Sequence, residues 1–194
     1  MSLPRSPTGV PYWPDGQTVA SAAARPSLRA RVFGFLALFL LLQGAYTFAQ
    51  GTRVERWVID EATVGTAAWL IDRIAPEVGV QAVGSRLRAP GGGINILNGC
   101  EGVEVVFLVA AAMLVAPLAW RWKVLGLWLG TGWVFALNQV RVLALFFAYR
   151  HDQGWFDVLH GVVAPLVLIA ATAAFFLVWL DRCAGGAVHR PTHA

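Results

Sequence analysis

Charge is scarce in this chain. Asp, Glu, Lys and Arg supply 13 % of its 194 residues against 57 % hydrophobic ones, and the mean hydropathy is +0.60. A soluble domain does not clothe its surface from such a composition, so the chain reads as an integral membrane protein. Cysteine is scarcer still. Cys100 and Cys183 are the two present, and the topology derived below puts them on opposite sides of the membrane, which excludes a disulfide framework. The other three histidines, His151, His189 and His193, have no metal-site spacing beside His160, and no cofactor motif or metal is expected. Val32 to Ala49 and Val103 to Trp120 show no repeat relation, which weighs against a transporter. The net charge of +4 and pI near 9.7 are no nucleic-acid footprint, because the basic residues are scattered and gather beside apolar runs.

What is present is apolar and periodic. Residues 1–31 carry five prolines and four arginines without apolar periodicity and are expected to form a disordered cytoplasmic tail. Four apolar runs follow, over 32–49, 103–120, 124–149 and 161–180, about 27 to 39 Å of helix each and so about enough for the ~30 Å of a bilayer core. The first begins too late, and ends too poorly, to be a cleaved signal peptide. Between the first two, Gln50 to Gly99 places Trp57, Val58, Val64, Ala68, Trp69, Ile71 and Ile74 at helical spacing among charges. That pattern predicts an amphipathic helix, stopped at Pro76, outside the membrane core. Val78 to Leu87 and Ile94 to Leu97 predict a short β-hairpin. The fold class is therefore an all-α polytopic membrane protein with about four transmembrane helices spanning 32–182, and a cytoplasmic tail over 183–194. With both termini inside, the inner segments hold eight basic and two acidic residues, the outer ones six and eight. That bias obeys the positive-inside rule, and Trp120, Trp122, Trp155 and Trp179 fall at the interfaces.

The organising stretch is Asn98 to Trp120, where a cysteine bounded by glycines opens an apolar helix. In this topology Cys100 stands about 30 Å above Trp120, Arg141 about 26 Å above Val124, and His160 heads a helix that descends about 30 Å. All three reach the outer interface, on segments joined by short links. A thiolate is a competent nucleophile, and a helix amino terminus together with a guanidinium is expected to lower its pKa. Arg141 could also stabilise an oxyanion, imidazole can relay a proton, and Asn138, one turn below Arg141, could support it. Taken singly, each has a plainer reading. Cys100 could be a small buried residue, Arg141 and His160 could reach outward from helix ends, and Glu101 and Glu104 read as favourable first-turn acids rather than a catalytic pair. The conjunction is what informs.

Asn98-Gly99-Cys100-Glu101-Gly102 before a membrane helix, Asn138-Gln139-Val140-Arg141 within the next, and His160-Gly161 at the head of another resemble the exosortase and archaeosortase family of membrane cysteine transpeptidases. The likeness covers roughly Gly84 to Leu180 and is greatest to the short single-domain forms, the exosortase H or M types. It implies an enzyme of the bacterial cytoplasmic (inner) membrane, acting on its extracytoplasmic face. Its implied partners are exported proteins ending in a short motif, a membrane helix and a basic cluster. Cys100 would be the nucleophile, Arg141 the activator or oxyanion stabiliser and His160 the acid/base. The chain has about half the spanning segments of longer members. Two other readings stay open: a protease that uses water as acceptor, and a non-enzymatic subunit of an envelope assembly or export system.

Overall fold

A computed structural model describes residues 27–97 and 99–188. The tail expected over the first 26 residues, the last six residues and Asn98 lie outside that description. Helix α1, Leu28–Ala49, starts four residues before the apolar run because the Ser27 side chain accepts a hydrogen bond from the Ala30 N–H at 3.3 Å. That is an N-cap in its usual role. The amphipathic stretch is helical from α2, Arg53–Arg56, through a π-helical segment, Trp57–Gly65, to α3, Thr66–Ile74, where the turn at Pro76 ends it. Its apolar stripe of Ile59, Val64, Ala67 and Ile71 is buried against Leu87, Ile94, Ile96, Val142, Leu145 and Phe146. This cluster forms a small core at one end of the helices.

The expected hairpin is instead a three-stranded antiparallel sheet of β1, Gln81–Val83, β2, Arg86–Arg88, and β3, Ile94–Asn95. The first expected strand folds back on itself because Gly84 adopts a φ of +56°, where a side chain is disfavoured. The triple glycine before β3 is fixed by packing rather than slack: a Cβ on Gly93 would collide with the Leu87 carbonyl. Arg150 clamps the same loop, donating to the Pro90 carbonyl at 2.7 Å and the Gly92 carbonyl at 3.3 Å.

Helix α4, Val103–Val115, is shorter than the predicted 103–120 run. The chain leaves the helix at Ala116, which is extended (φ −57°, ψ 143°), as the residue before a proline prefers. The Lys123 ammonium donates to the freed Leu114 carbonyl. Helix α5, Trp120–His151, starts four residues earlier and ends two later than the 124–149 run. After Asp152, whose carboxylate caps the next turn through the Gly154 N–H at 2.8 Å, the chain continues as α6, Gln153–Val158, a π-helical segment, Leu159–Val163, and α7, Ala164–Val188. His160 thus lies inside a long helix, not at the head of one. Among the described residues, three helical stretches, Leu28–Ala49, Trp120–His151 and Gln153–Cys183, are long and apolar enough to cross a membrane. Helix α4 is apolar, but its 13 residues reach only about 20 Å.

Candidate functional site

Helix α5 faces α4 through its glycines. A Cβ on Gly126 would meet the Met113 side chain, one on Gly130 would meet Val109, and one on Gly102 would stand 3.0 Å from Cγ of Asn138. The two helices therefore run antiparallel, pairing 126 with 113, 130 with 109 and 138 with 102. Stepping back two residues from Gly102 brings Cys100 level with Val140 and Arg141.

Gly102 has a φ of +80° and ends the turn before α4, its carbonyl accepting from the Val105 and Val106 N–H groups at 3.2 Å each. Its missing side chain is what admits Asn138. Cys100 sits in the turn before it, the backbone N–H bonded to the Leu97 carbonyl at 3.0 Å, and its half-buried side chain packs on the Val142, Leu145 and Phe146 cluster. It is not at the helix terminus, and the expected lowering of its pKa does not follow. Burial pushes the thiol above its ordinary value; the Arg141 charge and the Leu97 backbone pull it down, and the Glu101 and Glu104 carboxylates push it up. Burial prevails, so a proton acceptor is needed to make the thiolate.

Arg141 is half-buried, with its Nε buried and unpartnered, and its charge acts on Cys100. His160 is half-buried within the π-helical segment, its ring stacked on Phe156 at 5.4 Å and 3°, and its Nδ1 is buried without a partner. Phe156 and Leu159 pack on the same apolar cluster as Cys100. Single π-helical turns in long helices recur at functional sites. No hydrogen bond directly joins the Cys100, Arg141 and His160 side chains among the described residues. Asn138 lies against Gly102 in the turn that carries Cys100, the Arg141 charge acts on the thiol, and His160 stacks on Phe156, which packs on the same cluster as Cys100.

The sequence offered no reason to single out Tyr46 or Gln139, and it misjudged Glu101. Glu101 is not a solvated first-turn acid. It is 6 % exposed, accepts the Tyr46 hydroxyl of α1 at 3.1 Å through Oε1, and leaves Oε2 buried and unpartnered. Glu104 is the first-turn acid and accepts from the Gln43 amide at 3.3 Å. Gln139, 4 % exposed, and Asn138, 1 % exposed, each bury both amide atoms without a partner. A buried polar group without a partner costs about 1–3 kcal/mol. Seven such atoms on Glu101, Asn138, Gln139, Arg141 and His160 are a concentration that folded proteins keep only with reason. Their only shared sequence signal is polarity inside or beside apolar segments.

Comparison with family models, with curated proteins and with solved structures gives no match.

Proposed function

We propose that this protein is an exosortase-like membrane cysteine peptidase or transpeptidase, which cleaves carboxy-terminal sorting signals of exported proteins and passes the acyl group to an envelope acceptor. The observation that carries the reading is the packing of Asn138, one turn from Arg141, against Gly102 in the turn that carries Cys100, with the Arg141 charge acting on the thiol. Cys100 gives its proton to His160 and attacks a peptide carbonyl, forming a thioester. Arg141 faces the oxyanion, and His160 returns the proton to the leaving amine. The raised thiol makes that base necessary rather than optional.

In this reading α4 is the fourth crossing. Its helical ~20 Å is extended by Ala116 to Ala119, four residues worth up to about 13 Å when extended. The termini then lie in the cytoplasm and the site on the outer face of the inner membrane. A cavity of about 170 Å³ between α1, α4 and α7, lined by Phe35, Leu108, Ala112, Ile169, Thr172 and Phe176 among others, would take a side chain from a membrane helix lying alongside.

The test is mass spectrometry of envelope proteins from cells carrying the wild type, Cys100→Ala or Cys100→Ser. Uncleaved proteins sharing a motif, a membrane helix and a basic end should accumulate only in the two mutants. Equal processing in all three would sink the enzyme and leave the assembly-subunit reading.

A further inference from the structure

We infer that Glu101 and Asn138 form a binding subsite for a primary ammonium group beside Cys100. Three observations converge on it. Glu101 is buried beside Cys100, with Oε1 engaged by Tyr46 and Oε2 open. Asn138 lies against Gly102, the very next residue, and its Oδ1 is a second buried acceptor with no donor. Helix α4 does not begin until Val103, so Glu101 is not held there as a first-turn acid by unpaired backbone N–H groups. A carboxylate kept out of water requires a cation or donors to offset its desolvation. The Tyr46 hydroxyl supplies one donor to one oxygen. An ammonium carries three donors and one positive charge, which suits two open acceptors, one of them ionised. Guanidinium is planar and bulkier, and a quaternary ammonium has no N–H to give.

Under the proposed function, on which this part rests, the subsite holds the acceptor. The bound R–NH3⁺ gives one proton to the Glu101 carboxylate and becomes R–NH2. Its lone pair attacks the thioester carbonyl, the C–N bond forms and the C–S bond breaks. The second amine proton passes through His160 to the departing thiolate, leaving an amide, a Cys100 thiol and a protonated Glu101, which returns its proton to water. Hydrolysis is disfavoured because uncharged water offsets the buried carboxylate less well than an ammonium does.

Binding can be tested apart from catalysis, using the full chain purified in detergent and its thermal midpoint followed by tryptophan fluorescence. The probes are free ethanolamine, free choline, and nanodiscs of phosphatidylglycerol with or without phosphatidylethanolamine. Wild type and Cys100→Ala should both gain on the order of 5 °C at saturating ethanolamine or in phosphatidylethanolamine, and nothing from choline. Glu101→Gln should lose the gain, while Tyr46→Phe, which leaves the carboxylate in place, should keep it. A response to free ethanolamine identifies a diffusible amine, and a response confined to nanodiscs identifies a lipid headgroup. Equal gains from ethanolamine and choline, no gain in wild type from either source, or an undiminished gain in Glu101→Gln overturns the subsite. Because Cys100→Ala reports binding without a nucleophile, the peptidase reading can fail while the subsite stands, and the reverse.

Discussion

At Cys100 opposing influences compete, and the three largest make a measurable prediction. Burial raises the thiol, Arg141 opposes the rise, and Glu101 adds to it. Only the thiolate reacts with an alkylating reagent, so rate at fixed pH reads its population. Removing the guanidinium in Arg141→Ala leaves burial opposed by the Leu97 backbone alone, raises the pKa further and should slow iodoacetamide labelling at pH 7.5 on the order of fivefold. Glu101→Gln removes a repelling charge and should speed it by a similar factor. In all three proteins the rate should climb into the alkaline range, later than for an exposed thiol. A rate for Arg141→Ala equal to the wild type would mean that the guanidinium does not reach the sulfur. Cys100, Arg141 and His160 were conspicuous in the sequence as candidates, because polar groups within or beside apolar segments stand out. Glu101 was not, because an acid two residues before a helix looks the same whether it caps that helix or is buried against α1. Only the position of Tyr46, 55 residues away, decides between them.

Among the elements, the turn into α4 carries the strictest requirement. Gly102 combines a left-handed φ of +80° with the side chain of Asn138 at 3.0 to 3.2 Å from where a Cβ would stand. Gly102→Ala should therefore cost about 1–3 kcal/mol, read as a lower thermal midpoint. Adding Asn138→Ala should recover part of the steric cost, since the Asn138 Cβ at 3.2 Å stays, and leave the backbone part. Asn138→Ala alone removes two unpartnered polar atoms and should leave the midpoint nearly unchanged, yet abolish processing if the amide serves the site. A large fall in stability for that single variant would assign Asn138 to the fold instead. The Cys-x-Gly and Asn-x-x-Arg patterns were visible in the sequence, but not that the glycine of one makes room for the asparagine of the other. Helix ends were equally opaque. Pro117 cut α4 short although hydrophobicity runs on to Trp120, since apolar composition says nothing of a missing N–H. The π-helical segment around His160 left no mark on the apolar pattern either.

Taken whole, the molecule poses one question of parity. The three helical stretches among the described residues that are long and apolar enough to cross would leave the termini on opposite sides, whereas a crossing by α4 and its extended tail returns both to one side. Two physical terms favour the crossing. Val103 to Val115 is among the most apolar segments of the chain, with acids only at its first turn, so leaving it in water forfeits roughly 25 cal/mol for every Å² of apolar surface exposed. The basic residues also side with it: Arg121 and Lys123 follow the segment directly, and the segments that become cytoplasmic hold eight of the fifteen Lys and Arg. Against it stands the shortfall in helical length, which local thinning of the bilayer and the Trp120 and Trp122 anchors can absorb at fractions of a kcal/mol per Å. Reporter fusions at each terminus, one fluorescent only in the cytoplasm and one enzymatically active only outside it, should both read cytoplasmic. A single cysteine introduced at Trp155, in a Cys100→Ala, Cys183→Ala background, should react with a membrane-impermeant maleimide from outside, because Trp155 is exposed beyond the end of α5. Termini on opposite faces would fix three crossings, move α4 out of the bilayer, and require the Cys100 turn to meet its substrate away from the membrane surface that the peptidase reading needs.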